Sequence, residues 1–252
     1  MNRRHGIPSL LSGLLLLSAG VAEAQTASSP TATTSAATWP SRLGVSVRGG
    51  EFRLAGNSEA FRLFDQALTA GTAQLAPRVA GAEVQVRVWR ALSAVAGAET
   101  GNRTAASISR VAPTASSTPV AQRTSFELSS VQHAGVQWQA WQWQRSERSV
   151  ERLRVVLGGG LGQARYALRQ WGNFVDATRR VEFSDDLQSN GRGTFRYLAA
   201  KVEVPVSRRL AMQGDVRHHS GSASMNGDFA TFDRLDLGGM RLGLGVVVTP
   251  WR

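Results

Sequence analysis

In Ala82-Glu83-Val84-Gln85-Val86-Arg87-Val88 every second residue is apolar, and the residues between them are Glu83, Gln85 and Arg87. A period of two belongs to a β-strand with one oily face and one charged face. The division recurs around Ala200, Val202, Val204 and Val206, which oppose Lys201 and Glu203, and again where Met212 and Val216 oppose Gln213 and Asp215. In the last stretch Met240, Leu242, Leu244, Val246 and Val248 lie on one side and Arg241, Gly243 and Gly245 on the other. No segment after the N-terminal leader carries the run of about 18 apolar residues that marks a membrane helix. So many two-faced strands require an all-β architecture that buries or immerses one face of each.

Eight strands can be placed, at about 42–54, 80–90, 92–102, 123–142, 152–169, 194–206, 210–222 and 234–250. Their connectors alternate in length. Trp89-Arg90-Ala91, Gln144 to Ser149 and Ser207-Arg208-Arg209 are short, whereas 55–79, 103–122, 170–193 and 223–233 are long and polar. Short turns at one end and long loops at the other are the pattern of an eight-stranded antiparallel up-and-down transmembrane barrel, with short periplasmic turns and long extracellular loops.

Composition narrows the chemistry. The 252 residues include no cysteine, which removes disulfides, thiolate metal sites and cysteine nucleophiles, and only four histidines, so no metal site is expected. The formal charge is 29 − 18 = +11, and every basic residue except Lys201 is arginine. Residues 1–24 read as a cleaved secretory signal: Arg3 and Arg4 lead, Leu10 to Val21 form the apolar stretch, and Ala22-Glu23-Ala24 offers small residues for cleavage. A secreted chain makes nucleic acid an unexpected partner for its arginines and leaves lipopolysaccharide as the phosphate-bearing one. Residues 25–38 are a low-complexity polar extension expected to be disordered, and 39–252 form the barrel domain.

Alternation alone does not say which face is inside. A soluble lipocalin-like carrier would point the apolar set inward around a ligand. The polar set here includes Arg48, Glu83, Arg87, Glu99, Arg154, Lys201, Glu203, Asp215, Arg217 and Arg241. Together with the leader, the connectors and the ending Val246-x-Val248 followed by Trp251, it favours polar inside and apolar outside. In these features, over about residues 40 to 251, the chain resembles the small eight-stranded outer-membrane barrels of the OmpA/OmpX type. It departs from them in ending Trp251-Arg252 where a terminal aromatic is usual. The resemblance implies an outer-membrane location, surrounding lipid and lipopolysaccharide, insertion by the barrel-assembly machinery, a monomer, and no cofactor. No peptidoglycan-binding domain is expected after Trp251.

Eight strands enclose an interior that side chains just fill. The inward charges are expected to pair into a polar plug, leaving no large pore. Trp138, Trp141 and Trp143 are expected to form an interfacial girdle at the short-turn end. Gly158-Gly159-Gly160-Leu161-Gly162 lacks the lysine and helix of a phosphate loop and reads as a bend or close contact inside a strand. Segment 58–68 is either a short helix, with Phe61, Phe64 and Leu68 on one face, or an irregular loop.

The sharpest local signal is Arg217-His218-His219-Ser220. In the phase of Met212 and Val216, His218 and Ser220 face outward and Arg217 and His219 inward. A loop centred on Gly227 would set Ser220 opposite Arg234 and His218 opposite Asp236. That would gather a hydroxyl, an imidazole and a carboxylate on one lipid-facing patch, the set acyl transfer uses. The patch resembles the His-x-Ser motif of the PagL-like lipid A deacylases. That resemblance implies Ser220 as nucleophile and His218 as base, with Asp236, or else Asp233, in place of the acid. The residue after the serine is Gly221 where the family has asparagine, and no glutamate follows in the closing hairpin. Three readings therefore stand: a non-enzymatic barrel with a structural or surface-interaction role, a serine esterase acting on lipid A, and a soluble lipid carrier.

Overall fold

The computed structural model describes residues 43–113, 119–144, 152–176, 178–207 and 209–249. The leader, the polar extension, the connector after the fourth strand and Trp251 lie outside the described residues. Nine strands form one antiparallel sheet: β1 (Leu43–Leu54), β2 (Arg78–Trp89), β3 (Leu92–Ile108), β4 (Ala121–Gln144), β5 (Arg152–Val175), β6 (Glu182–Pro205), β7 (Leu210–Ser224), β8 (Arg234–Asp236) and β9 (Gly239–Val248). Each strand from β1 to β7 pairs with the next, β9 pairs with both β7 and β1, and the ring closes. β8 and β9 are two pieces of the eighth barrel wall. Closure leaves no free edge around the ring, so backbone polar groups are satisfied within the sheet, as a bilayer demands.

The eighth wall breaks where Gly239 takes φ +153°, and a Cβ there would come within 2.1 Å of the Arg53 carbonyl oxygen. Only glycine tolerates both. Asp236 Oδ1 accepts from the Gly238 amide at 2.7 Å and fixes the kink.

Burial settles the phase. The apolar sets face out: Leu161, Leu198 and Leu244 are 71, 69 and 75% exposed, and Val84, Val202 and Met212 are also exposed. Arg48, Glu83, Glu99, Lys201, Glu203, Asp215, Arg217 and Arg241 are buried inside the barrel, while Arg87 and Arg154 are half-buried. This is the reverse of a soluble carrier, whose oily face would look inward. A continuous exposed apolar belt around a charged interior is the surface of a membrane-spanning barrel.

One of the supposed long loops, 170–193, is largely strand. β4, β5 and β6 each run 24 residues, well past the roughly 9–11 that span a bilayer. Only 176–181 separates β5 from β6, and their pairing continues to Val175↔Glu182. At the far end of this ribbon, over 171–175 and 182–186, neither face is buried, so the alternation that reveals a strand fades there. β-bulges add a second effect. Pairing on β4 slips between Leu128 and Ser130 and between Gln139 and Trp141. Each extra residue reverses the inside-outside phase. Because of the second slip Trp138, Trp141 and Trp143 all face outward, opposite Leu157, Val155 and Leu153. With Trp89 they form the expected aromatic girdle at the short-turn end.

The first long connection contains α1 (Glu59–Ala67), capped where the Phe61 amide donates to Ser58 Oγ at 3.5 Å. Its buried face carries Ala60, Phe61 and Phe64 into the barrel mouth. Phe61 meets Phe126 edge-on at 6.0 Å, and Phe64 meets Phe229 at 6.3 Å. Around them Phe52, Leu75, Tyr166, Leu168, Phe195 and Leu235 form an apolar core filling the long-loop half of the interior. Phe61 and Phe64 share the helical face expected of segment 58–68, but the charged positions that mark the interior elsewhere give no sign of this layer. The glycine run lies in β5, and a Cβ on Gly162 would meet the Phe195 ring at 2.3 Å. Close packing, with no phosphate loop, explains it.

Candidate functional site

The sequence offers two candidate sites, the outward His218/Ser220 patch and the inward charges. On β7 the even residues face out, so His218 and Ser220 share the outer wall while Arg217 and His219 are buried inside. The expected third member is elsewhere. His218 pairs with Leu198 on β6 and Met240 on β9, and Ser220 pairs with Arg196 on β6. Asp236 stands opposite Ser222, and Arg234 opposite Ser224. The hairpin thus turns about Phe229 rather than Gly227, because Phe229 is buried against Phe64 in the apolar cap.

That register moves Asp236 four residues along the strand from the position facing His218, about 13 Å at the usual rise. Its Oδ1 holds the Gly238 amide, and Asp233 lies exposed in the loop before β8. Asp233 and Asp236 line a surface cleft of about 390 Å³ with Ser222, Glu59, Arg62 and Arg234. Neither the His218 nor the Ser220 side chain makes a hydrogen bond or ion pair among the described residues. The structure therefore brings two of the three residues onto one wall and leaves the nucleophile, base and acid unconnected.

Inside the short-turn half, Glu83 is the hub. Its Oε2 accepts from Arg48 Nη1 at 2.8 Å and Arg217 Nη2 at 2.5 Å and lies 3.1 Å from His133 Nε2. Its Oε1 accepts from Lys201 Nζ, and from Gln137 Nε2 at 3.1 Å. A second node, Glu99, accepts from Arg48 Nε at 2.9 Å and pairs with Arg241 at 3.1 Å. Asp215 bridges Arg241 at 3.2 Å and Arg217 at 3.4 Å, and Glu203 lies 3.5 Å from Arg154. Each buried guanidinium group has carboxylate partners, the pairing an interior charge needs, while Arg217 Nε and Arg241 Nε and Nη2 donate no hydrogen bond among the described residues.

His219 sits where the ionic and apolar layers meet. Its ring stacks on Phe195 at 4.8 Å and meets Phe52 edge-on at 5.2 Å. The cavity between the layers, lined by Glu99, Leu128, Phe195, His219 and Arg241 among others, is only about 20 Å³. That is room for about one water and not for a solute stream or an acyl chain. Among the described residues no cluster of His, Asp and Glu is arranged to hold a metal ion.

The structure adds three outward arginines above the belt, Arg165, Arg192 and Arg196. Arg192 and Arg196 alternate with Thr194 in the outward phase, which was the available signal. That Arg165 faces Arg192 across the strands could come only from the register.

No protein-family model matches the chain, and no curated protein matches it significantly. Among solved structures it is similar to Neisserial surface protein A, at 12% identity and a TM-score of 0.41 over 83% of this chain and 97% of that one. It is similar also to the N-terminal β-barrel domain of Pseudomonas aeruginosa OprF, at 8% identity and 0.34 over 81% and 96%. A third is Ail, the attachment invasion locus protein of Yersinia pestis, solved with the heparin analogue sucrose octasulfate, at 10% identity and 0.35 over 83% and 99%. By its own pairing and closure the chain is a closed eight-stranded antiparallel β-barrel, the architecture the alternating strands predict.

Proposed function

We propose that this chain is a non-enzymatic outer-membrane barrel with a structural or surface-interaction role in the envelope, sealed to solutes. The observation that carries the reading is the doubly closed interior: an ion-paired layer around Glu83 in one half and an aromatic core under α1 in the other. The secretory leader read at 1–24 supports delivery out of the cytoplasm, and the polar-in, apolar-out phase supports insertion by the barrel-assembly machinery as a monomer. The long β4–β5–β6 ribbon offers the surface with which such a protein would meet partners outside the bilayer.

The esterase reading keeps one observation in its favour, the shared outward face of His218 and Ser220. Against it stand the register of Asp236 and the absence of any hydrogen bond joining the set. One experiment addresses both. Lipid A from cells making the parent chain or Ser220→Ala is compared by mass spectrometry at matched expression, and the purified protein is added to a planar bilayer. Identical spectra and a bilayer without discrete conductance steps are expected. Loss of one acyl chain with the parent only would establish the hydrolase, and stable open-channel steps would overturn the sealed interior.

A further inference from the structure

Just above the apolar belt, the outer wall formed by β5, β6 and β7 holds an arrangement that the sealed barrel itself does not need. Arg165 on β5 and Arg192 on β6 are direct cross-strand partners, and both are exposed on the outward face. Like charges in that position repel and weaken a sheet. Arg196 lies on the same face of β6, paired with Leu161 on one side and Ser220 on the other. None of the three arginine side chains has a hydrogen-bond or ion-pair partner among the described residues. Arg169, farther along the same face of β5, shows the contrast. It is held by Asp186 in a two-pronged pair at 2.9 and 2.6 Å.

The surroundings supply donors, and Glu59, Asp233 and Asp236, the carboxylates of the cleft beside Ser222, are accompanied there by Arg62 and Arg234. Gln163 pairs with Thr194, and Thr194 with Ser222, between the two arginine levels. Two carboxylates come near in register. Glu127 faces Ala167 without forming an ion pair to Arg165, and Asp236 faces Ser222 with its Oδ1 already accepting from Gly238. Directly below are Leu161 and Leu198, two of the most exposed apolar side chains of the belt. A ligand meeting this wall would therefore have an oily tail along the leucines and an anionic head at the arginines. Guanidinium forks match phosphate oxygens two at a time, and a doubly charged phosphate between Arg165 and Arg192 would turn their repulsion into attraction.

We propose that Arg165, Arg192 and Arg196, with Ser220 beside them, form a site for the phosphate head of a lipid in the leaflet facing the long loops. This rests on the outer-membrane reading above. Ser220 then serves as a hydrogen-bond donor at a headgroup rather than as a nucleophile. The same phosphate chemistry could come from a soluble anion, so the test separates the two sources.

The mature chain and Arg165→Gln/Arg192→Gln are placed in phosphatidylcholine nanodiscs containing diphosphorylated lipid A or the same lipid after enzymatic dephosphorylation. Bound lipid is counted by native mass spectrometry, and thermal unfolding is followed by the gel shift between folded and boiled protein. The parent should prefer the phosphorylated lipid by about tenfold or more, as loss of charge-assisted hydrogen bonds would imply, and the double variant should lose that preference. The stability order should also invert. Without phosphorylated lipid the variant, freed of the arginine repulsion, should melt at or above the parent, and with it the parent should melt higher. An unchanged preference in the variant overturns the site. Equal protection of the parent by inorganic phosphate in detergent alone overturns a lipid as the ligand. A chain that stays soluble and never enters the discs overturns the membrane reading, and the site with it.

Discussion

Glu83→Ala should destabilise the barrel by about 3–5 kcal/mol, the range for removing one partner of a buried ion pair. The reason is specific to the hub. Its two oxygens serve Arg48, Lys201, Arg217, His133 and Gln137, so one deletion leaves three buried cations without a shared counter-charge. Glu99 and Asp215 already have Arg241 to neutralise and cannot move to the vacated place. Glu83→Gln, which keeps the volume and a carbonyl acceptor, should fall between parent and alanine. The measurement is urea unfolding from lipid vesicles, scored by the mobility of folded against unfolded protein. Removing the exposed Arg169–Asp186 pair should leave the midpoint unchanged within error, because water already solvates both groups. A Glu83→Ala midpoint equal to that of the parent would mean that the interior charges are individually hydrated and that the ionic layer is not a seal.

Leu244→Arg should cost about 2–4 kcal/mol, the value for arginine on the lipid face near the bilayer midplane. Leu244 is the most exposed apolar side chain in β9, flanked across the strands by Gly49 and Gly214. A soluble protein with that exposure would tolerate arginine there and become more soluble. The neighbouring position must behave differently, since Gly245 faces inward and a Cβ would come within 2.5 Å of the Val47 carbonyl oxygen and 2.8 Å of Arg48 Cβ. Gly245→Ala should therefore act by crowding, equally in detergent and in lipid, whereas the Leu244→Arg penalty should shrink in a thinner bilayer. Refolding yields into vesicles of short-chain and long-chain phosphatidylcholine separate the two effects.

What could be read in the sequence follows from where water lies. Around 82–88, 198–206 and 240–248 one face meets lipid and the other meets buried charge, so every second residue is constrained and the strands declare themselves. Farther along β5 and β6, at Asn173, Ser184 and Asp186, neither face is buried and no period survives, so that stretch has the pattern of a loop. Bulges left no mark because the extra residues near Ser129 and Ala140 have no required type. The position of Asp236 was lost for a third reason. The local pattern points to Gly227 as the turn centre, but the burial of Phe229 beside Phe64 decides the register, and that is a tertiary contact no local pattern encodes. The outward phase of His218 and Ser220 was legible; their isolation from a carboxylate was not.

The most direct test of a lipid-facing belt uses the absence of native cysteine. Single cysteines at Leu161, Leu198, Leu244 and Arg192, each carrying a nitroxide label, are examined in phosphatidylcholine vesicles for collision with oxygen, which concentrates in lipid, and with a water-soluble nickel chelate. Labels at 161, 198 and 244 should relax with oxygen and ignore nickel, and the label at 192, above the belt, should do the opposite. Free access of nickel to position 244 in the folded, vesicle-bound protein would contradict the account, because the apolar wall would then face water.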